Sequence, residues 1–197
     1  SSLRYLTFSA RGYSDRHLVD GQIGYSNGVA WLPDGSGVIY ARLEYDRQGR
    51  FLSDLYLYDL KKKSEHRLTE GYRAFAPTVS PDGRHVIFLS RQAERTRLLI
   101  GEMMGGRLSA PPQVLWPPVQ PAESGAATER ITYVSWSPGG NTLALALTTA
   151  EGESELGLLS LVARGSTYAA GSLKVIYKGN ADHRELSWSP DGRYLLF

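Results

Sequence analysis

Val79-Ser80-Pro81-Asp82-Gly83-Arg84-His85-Val86-Ile87-Phe88 reads as two strands joined by a tight turn. Proline presets φ at the second position of a type I turn, aspartate suits the third, and glycine accepts the left-handed conformation that a bulged three-residue loop requires. The same turn recurs at Pro33-Asp34-Gly35, Pro138-Gly139-Gly140 and Pro190-Asp191-Gly192. Trp31, Val79, Trp136 and Trp188 each stand two residues before the proline. β-rich runs follow each glycine: Val38-Ile39-Tyr40, Val86-Ile87-Phe88, Leu143-Ala144-Leu145 and Tyr194-Leu195-Leu196.

The prolines at 33, 81, 138 and 190 are spaced by 48, 57 and 52 residues. Each interval holds four strand-like runs. In the first these are Val29 to Trp31, Val38 to Leu43, Leu55 to Leu60 and His66 to Leu68. In the second they are Thr78-Val79, Val86 to Ser90, Leu98 to Ile100 and Val114-Leu115. The third has Tyr133 to Trp136, Leu143 to Thr148, Leu156 to Val162 and Lys174 to Tyr177. Repeats of about 40 to 50 residues with four strands each predict β-propeller blades. Runs such as Val86-Ile87-Phe88-Leu89 are apolar on both faces, as a strand between two stacked sheets must be. Arg91 to Ile100 would suit a helix by composition, but it occupies the third-strand position and is expected to be a strand.

The fold class expected is therefore all-β: antiparallel four-stranded blades, three complete and two half. Residues 1–26 end a preceding blade, 27–71, 72–116 and 131–178 are whole blades, and 179–197 begin another. Residues 117–130, rich in Pro, Ala and Gly, are expected to be an enlarged surface loop. Both ends read as cut from a longer polypeptide. The chain is therefore expected to be a slice of a larger propeller with open edges that could self-associate; the alternative is that the N-terminal pair of strands completes the C-terminal sheet and the chain closes as four blades.

Composition narrows the chemistry. The 197 residues are 42% hydrophobic and 21% charged, an ordinary globular balance, and the net charge is only +2. The one basic run, Lys61-Lys62-Lys63, is too short for a nucleic-acid footprint, and no nucleic-acid partner is expected. With no cysteine there is no disulfide, thiol nucleophile or zinc-thiolate site. No apolar run approaches the roughly 20 residues of a membrane helix, so direct membrane insertion is not expected. His17, His66, His85 and His183 are scattered through the repeats without metal-ligand spacing, and no metal or cofactor is expected.

Gly24-Tyr25-Ser26-Asn27-Gly28 matches the expression for a hydrolase nucleophile elbow. That elbow needs a helix after it, and here a strand and a Pro-Asp-Gly turn follow, so no catalytic residue is assigned. Function in a propeller concentrates where inter-blade loops surround the channel. Tyr25, Tyr72, Arg73, Phe75, Arg130, His183 and Arg184 fall in those segments, with Arg91 to Thr96 beside them. Aromatics with arginine are the composition favoured at protein-binding hot spots.

The units Trp188-Ser189-Pro190-Asp191-Gly192-Arg193 and Asp54 to Gly71, the latter with Leu55-Tyr56-Leu57-Tyr58-Asp59-Leu60 and Arg67-Leu68-Thr69-Glu70-Gly71, resemble the TolB-type β-propeller repeat. Gly139 departs from the family's aspartate and Leu32 from its serine. The resemblance implies part of a six-bladed propeller in an extracytoplasmic setting, acting as a non-catalytic scaffold for a protein or peptide. Its alternative is an accessory or gating propeller of a larger serine peptidase or metallopeptidase. Fold alone does not choose between them.

Overall fold

In the computed structural model, which describes residues 2–9, 12–20, 22–23, 28–45, 48–92, 95–117, 130–149, 151–179 and 185–197, the regular elements are all β-strands. Strands β1 (Ser2–Ser9) and β2 (Gly12–Asp20) form an antiparallel hairpin. The first whole blade follows with β3 (Gln22–Ile23), β4 (Val29–Trp31), β5 (Gly37–Tyr45), β6 (Phe51–Asp59) and β7 (Ser64–Arg67). Both β3 and β4 pair with β5, so they are two pieces of one inner strand.

The second blade has β8 (Ala74–Val79), β9 (His85–Gln92), β10 (Arg95–Met104), β11 (Arg107–Leu108) and β12 (Gln113–Trp116). Here β11 and β12 both pair with β10 and together make the outer strand. The third is the simple ladder β13 (Arg130–Trp136), β14 (Thr142–Thr148), β15 (Ser154–Arg164) and β16 (Thr167–Gly179), and β17 (Ser187–Trp188) with β18 (Leu195–Leu196) starts another sheet. The segment from Arg91 to Ile100 is not one strand: Arg91 and Gln92 end β9, and the third strand, β10, runs from Arg95.

Burial follows the period of two along each central strand. On β9, Val86 and Phe88 pack with Ile39, Ala41, Leu55 and Leu57 of the first blade, while Ile87 and Leu89 pack with Ile131, Val134, Leu143, Leu145 and Leu147 of the third. Neither face meets water, which is why the run is apolar without alternation. Each such fully buried side chain contributes about 1.5–3 kcal/mol. The β1–β2 hairpin covers the other face of the first blade through Leu3, Leu18 and Val19 against Val38, Tyr40, Tyr56 and Tyr58.

The Pro-Asp-Gly turns stack on one another along the lower face. Gly83, Gly140 and Gly192 all have positive φ, between 70° and 77°. A Cβ placed on them would lie 3.6 to 3.9 Å from Pro33, Pro81 and Pro138 of the preceding blade's turn. Glycine is thus required by backbone conformation rather than by lack of room. In the Ser-Pro-Asp-Gly turns, Ser80 Oγ donates to Asp82 at 2.5 Å and accepts from His85 N–H at 2.9 Å; Ser189, Asp191 and Tyr194 repeat the pattern.

The two departures from this turn have different outcomes. Where Leu32 replaces the serine, Ser36 donates its hydroxyl to Asp34 at 2.7 Å instead. Where Gly139 replaces the aspartate, the buried Ser137 Oγ has no hydrogen-bond partner among the described residues.

Three features of the structure go beyond what the repeats alone give. β1–β2 and β17–β18 are separate two-stranded sheets, and no ladder among the described residues joins them into a fourth closed blade. β16 begins at Thr167 rather than Lys174, because small residues around Ala169-Ala170 extend its pairing with β15 without an apolar signal. The residue two before each proline is not uniformly buried. Trp136 is 7% exposed, its amide donating to Thr78 Oγ1 of the blade before it, whereas Trp31 is 52% exposed and has no preceding inner strand beside it among the described residues.

Candidate functional site

The upper face is the end opposite the stacked turns, where first strands begin and the β5–β6 and β9–β10 hairpins turn. Of the residues expected there, Tyr72, Arg73, Phe75 and Arg130 are placed; Tyr25, His183 and Arg184 lie outside the described residues, as does Ser26. Residues after Gly28 form β4 and a turn, not the helix that a nucleophile elbow requires.

Asp54 holds this face together. It sits near the start of β6, only 2% exposed, and accepts from Arg67 Nη2 (2.7 Å), Thr69 Oγ1 (2.8 Å), Gly71 N–H (2.9 Å) and Tyr72 N–H (3.2 Å). Register brings the partners together, since Tyr56 faces Arg67 across β6 and β7. The Arg-Leu-Thr-Glu-Gly stretch is therefore the clamp that fixes the passage from the first blade into the second. Such a buried carboxylate is tolerable only because all its strong acceptor capacity is used.

Directly after the clamp, Tyr72 is half-buried, its ring edge-on to Phe88 with centroids 6.2 Å apart and its carbonyl accepting from Ser90 Oγ at 2.6 Å. Arg73 is exposed and held at φ 48°, a conformation uncommon for a residue with a side chain. Phe75 is half-buried beneath the Arg91 guanidinium, 5.6 Å from its ring centroid. Tyr72, Arg73 and Phe75 thus share the upper end of the second blade. Arg130 is exposed at the same end of the third blade, opposite Thr148.

The first blade's own charges meet toward its upper end, with Glu65 reaching up from its place opposite Tyr58. Arg42 Nη1 donates to Glu65 at 2.7 Å and Nε to Glu44 at 2.8 Å, with its guanidinium 3.8 Å from the Tyr56 ring centroid. Tyr56 donates to Glu44 at 2.8 Å and Tyr40 donates to Glu65. Burial opposes the charge on Arg42, but its hydrogen bonds to Glu65 and Glu44 outweigh it and raise its pKa above the usual range. Burial, then the carboxylate partner, raises both Tyr40 and Tyr56. Beside this network lies a groove of about 650 Å³ lined by Glu44, Tyr45, Arg50, Arg67 and Glu70.

Sequence reasoning did not single out Asp54 or Arg97, and reached Arg95 only as part of the segment Arg91 to Thr96. Of the described histidines, two are packing groups: His66 Nε2 donates to Gly106 O at 2.6 Å and His85 Nε2 to Ser166 O at 2.7 Å, each bridging to the following blade, while the exposed His17 pairs with Asp20 at 2.9 Å. Among the described residues no group of three or more His, Asp or Glu side chains could hold a metal ion. No helix there is long and apolar enough to cross a membrane.

No family model matches the chain. It is 25% identical to the uncharacterized peptidase YuxL of Bacillus subtilis across 85% of this chain and 28% of that protein. Among solved structures, a protein of Agrobacterium tumefaciens described as TolB superposes with a TM-score of 0.63 at 21% identity, covering 90% of this chain and 58% of that one. The β-propeller domain of the Trilobed protease from Pyrococcus furiosus superposes at 0.52 and 13% identity, covering 79% and 44%. The chain thus spans little more than half the length of the first of these structures and under a third of YuxL. Together with the stacked blades, these likenesses show that the chain has the TolB-like β-propeller fold.

Proposed function

We propose that the chain is a non-catalytic propeller scaffold that binds a protein or peptide on its upper face, as part of a longer extracytoplasmic protein. The observation that carries this reading is Arg73. An exposed arginine in a strained backbone conformation, flanked by Tyr72 and Phe75, stands directly on the rigid Asp54 clamp. Strain of this kind costs about 1–3 kcal/mol and persists where the surroundings enforce it. Aromatic and arginine side chains on a fixed support are what a binding surface uses, because little side-chain order remains to be lost on association.

Displaying random peptides to the immobilised chain tests this directly. Arg73→Ala combined with Arg130→Ala should weaken the selected peptides by about tenfold or more while the urea midpoint stays unchanged. Unchanged binding would remove this surface from consideration.

The likeness to YuxL favours a second reading, in which the propeller is the accessory or gating part of a larger peptidase. The flanking coding sequence distinguishes the two: an α/β-hydrolase segment downstream, or a His-Glu-x-x-His motif upstream, supports the peptidase and removes the pure scaffold.

A further inference from the structure

We propose that the upper end of the second blade binds an acidic, extended polypeptide segment, with Arg73, Arg91, Arg95 and Arg97 as its cationic contacts and Phe75 as its apolar floor. This rests on the scaffold reading and specifies the partner's chemistry.

Among this blade's described residues charge is segregated. Its described carboxylates, Asp82 and Glu102, both belong to the lower end, Asp82 in the Pro-Asp-Gly turn and Glu102 opposite His85. At the upper end the register places Arg97 opposite Ser90 and Thr96 opposite Arg91, with Arg95 opposite Gln92 at the hairpin tip, whose Ala93 and Glu94 lie outside the described residues. Arg73 joins them from the inner strand, its carbonyl accepting from Arg91 N–H at 3.4 Å. None of these four guanidinium groups forms an ion pair among the described residues. By contrast, Arg42 and Arg67 of the first blade are both held by carboxylates.

Register shows how the difference arises. Tyr40 and Phe88 stand seven residues after Pro33 and Pro81, and face Tyr56 and Leu99 respectively. Two residues earlier on the third strand, the first blade therefore has Asp54 and the second has Arg97. The position that seals the first blade's upper end with a buried carboxylate carries a cation in the second.

A short acidic segment fits these cations better than a polyanion does. Arg91, opposite Thr96, shares the sheet face of Leu89 and Phe75 toward the third blade, whereas Arg95 and Arg97, opposite Gln92 and Ser90, take the face toward the first, so a segment crossing the blade's upper edge meets cations from both sides. Guanidinium forks match carboxylates in bidentate geometry. A nucleic acid would call for a longer basic stripe, and the chain's net charge is only +2.

The test uses the whole chain, an immobilised random-octapeptide array, and fluorescence anisotropy with three labelled probes: an octapeptide alternating glutamate and serine, its glutamine analogue, and a short oligothymidylate. The array should return acidic sequences, and the glutamate peptide should bind with the glutamine analogue at least about tenfold weaker. Arg91→Gln/Arg95→Gln/Arg97→Gln should weaken the glutamate peptide by about tenfold or more. Lys61→Gln/Lys62→Gln/Lys63→Gln, which removes the same charge at the lower face, should change it by less than about twofold. Equal losses in the two variants, equal binding of the glutamine analogue, or tighter binding of oligothymidylate would overturn the proposal. An array that returns peptides without acidic bias overturns it too but leaves the scaffold standing; an array that returns none removes the scaffold as well.

Discussion

The upper ends of the first and second blades are built on one repeat and reach opposite electrostatic states. In the first, Asp54, Glu44 and Glu65 take up Arg42 and Arg67, two tyrosine hydroxyls and two backbone amides, so its polar groups face one another. In the second, the arginines have no such partners among the described residues, and the Arg91 guanidinium lies over the Phe75 ring. The shared backbone explains the shared fold; exchanges at a few positions, aspartate for arginine on the third strand among them, separate support from surface.

The contrast breaks most readily at Asp54. Asp54→Ala strands a guanidinium, a buried hydroxyl and two amides, and should cost about 3–5 kcal/mol in urea unfolding. Arg97→Ala at the equivalent position should cost no more than about 0.5 kcal/mol. If the two losses were alike, the clamp would not be the support described.

The third blade gives an intermediate case. Leu145, seven residues after Pro138, faces Gly157, which puts Glu155 in the same position; it is 5% exposed and bonded to Lys178 at 2.5 Å. Lys178 is largely exposed and regains water when Glu155 is removed, so Glu155→Ala should cost only about 1 kcal/mol by the same assay. A loss as large as that at Asp54 would show that position alone, not the number of stranded donors, sets the cost.

A smaller effect of opposite sign is expected at the lower face. Gly139 has no positive φ, and a Cβ there would meet only Asn141 Oδ1, at an ordinary contact of 3.6 Å. Gly139→Asp should give Ser137 Oγ the acceptor that it lacks and stabilise the chain by about 1 kcal/mol near neutral pH. The hydroxyl bonds from Ser80 and Ser189 hold Asp82 and Asp191 below the ordinary aspartate value of 3.8. A depressed carboxylate stabilises above its unfolded pKa and loses that contribution as pH falls through the folded one. The gain from Gly139→Asp should accordingly disappear in acid; a gain that persists there would have another origin.

Much of the fold was legible because its signals are local. The Pro-Asp-Gly turns, the apolar runs after them and the proline spacing lie within a few residues of one another, and the blades follow from them. The exposure of Trp31 was not legible, since it depends on which strand stands beside β4 rather than on the residue's place in its own unit. The upper face was legible only in part. Tyr72, Arg73 and Phe75 could be found from the loop that holds them, whereas the equivalence of Asp54 and Arg97 could not. Asp54 lies 21 residues after its proline and Arg97 only 16, because the β5–β6 hairpin is longer, so counting along the chain misaligns them and only the register across strands restores the match.

The contrast between the blades is tested most directly by the affinity of the labelled glutamate–serine peptide for two charge-matched double variants. Arg91→Gln/Arg95→Gln should raise its Kd by about tenfold while the urea midpoint stays in place, and Arg42→Gln/Arg67→Gln should lower the midpoint and leave the Kd within about twofold. Equal loss of affinity in both variants would contradict the account, because paired and unpaired arginines would then be doing the same thing.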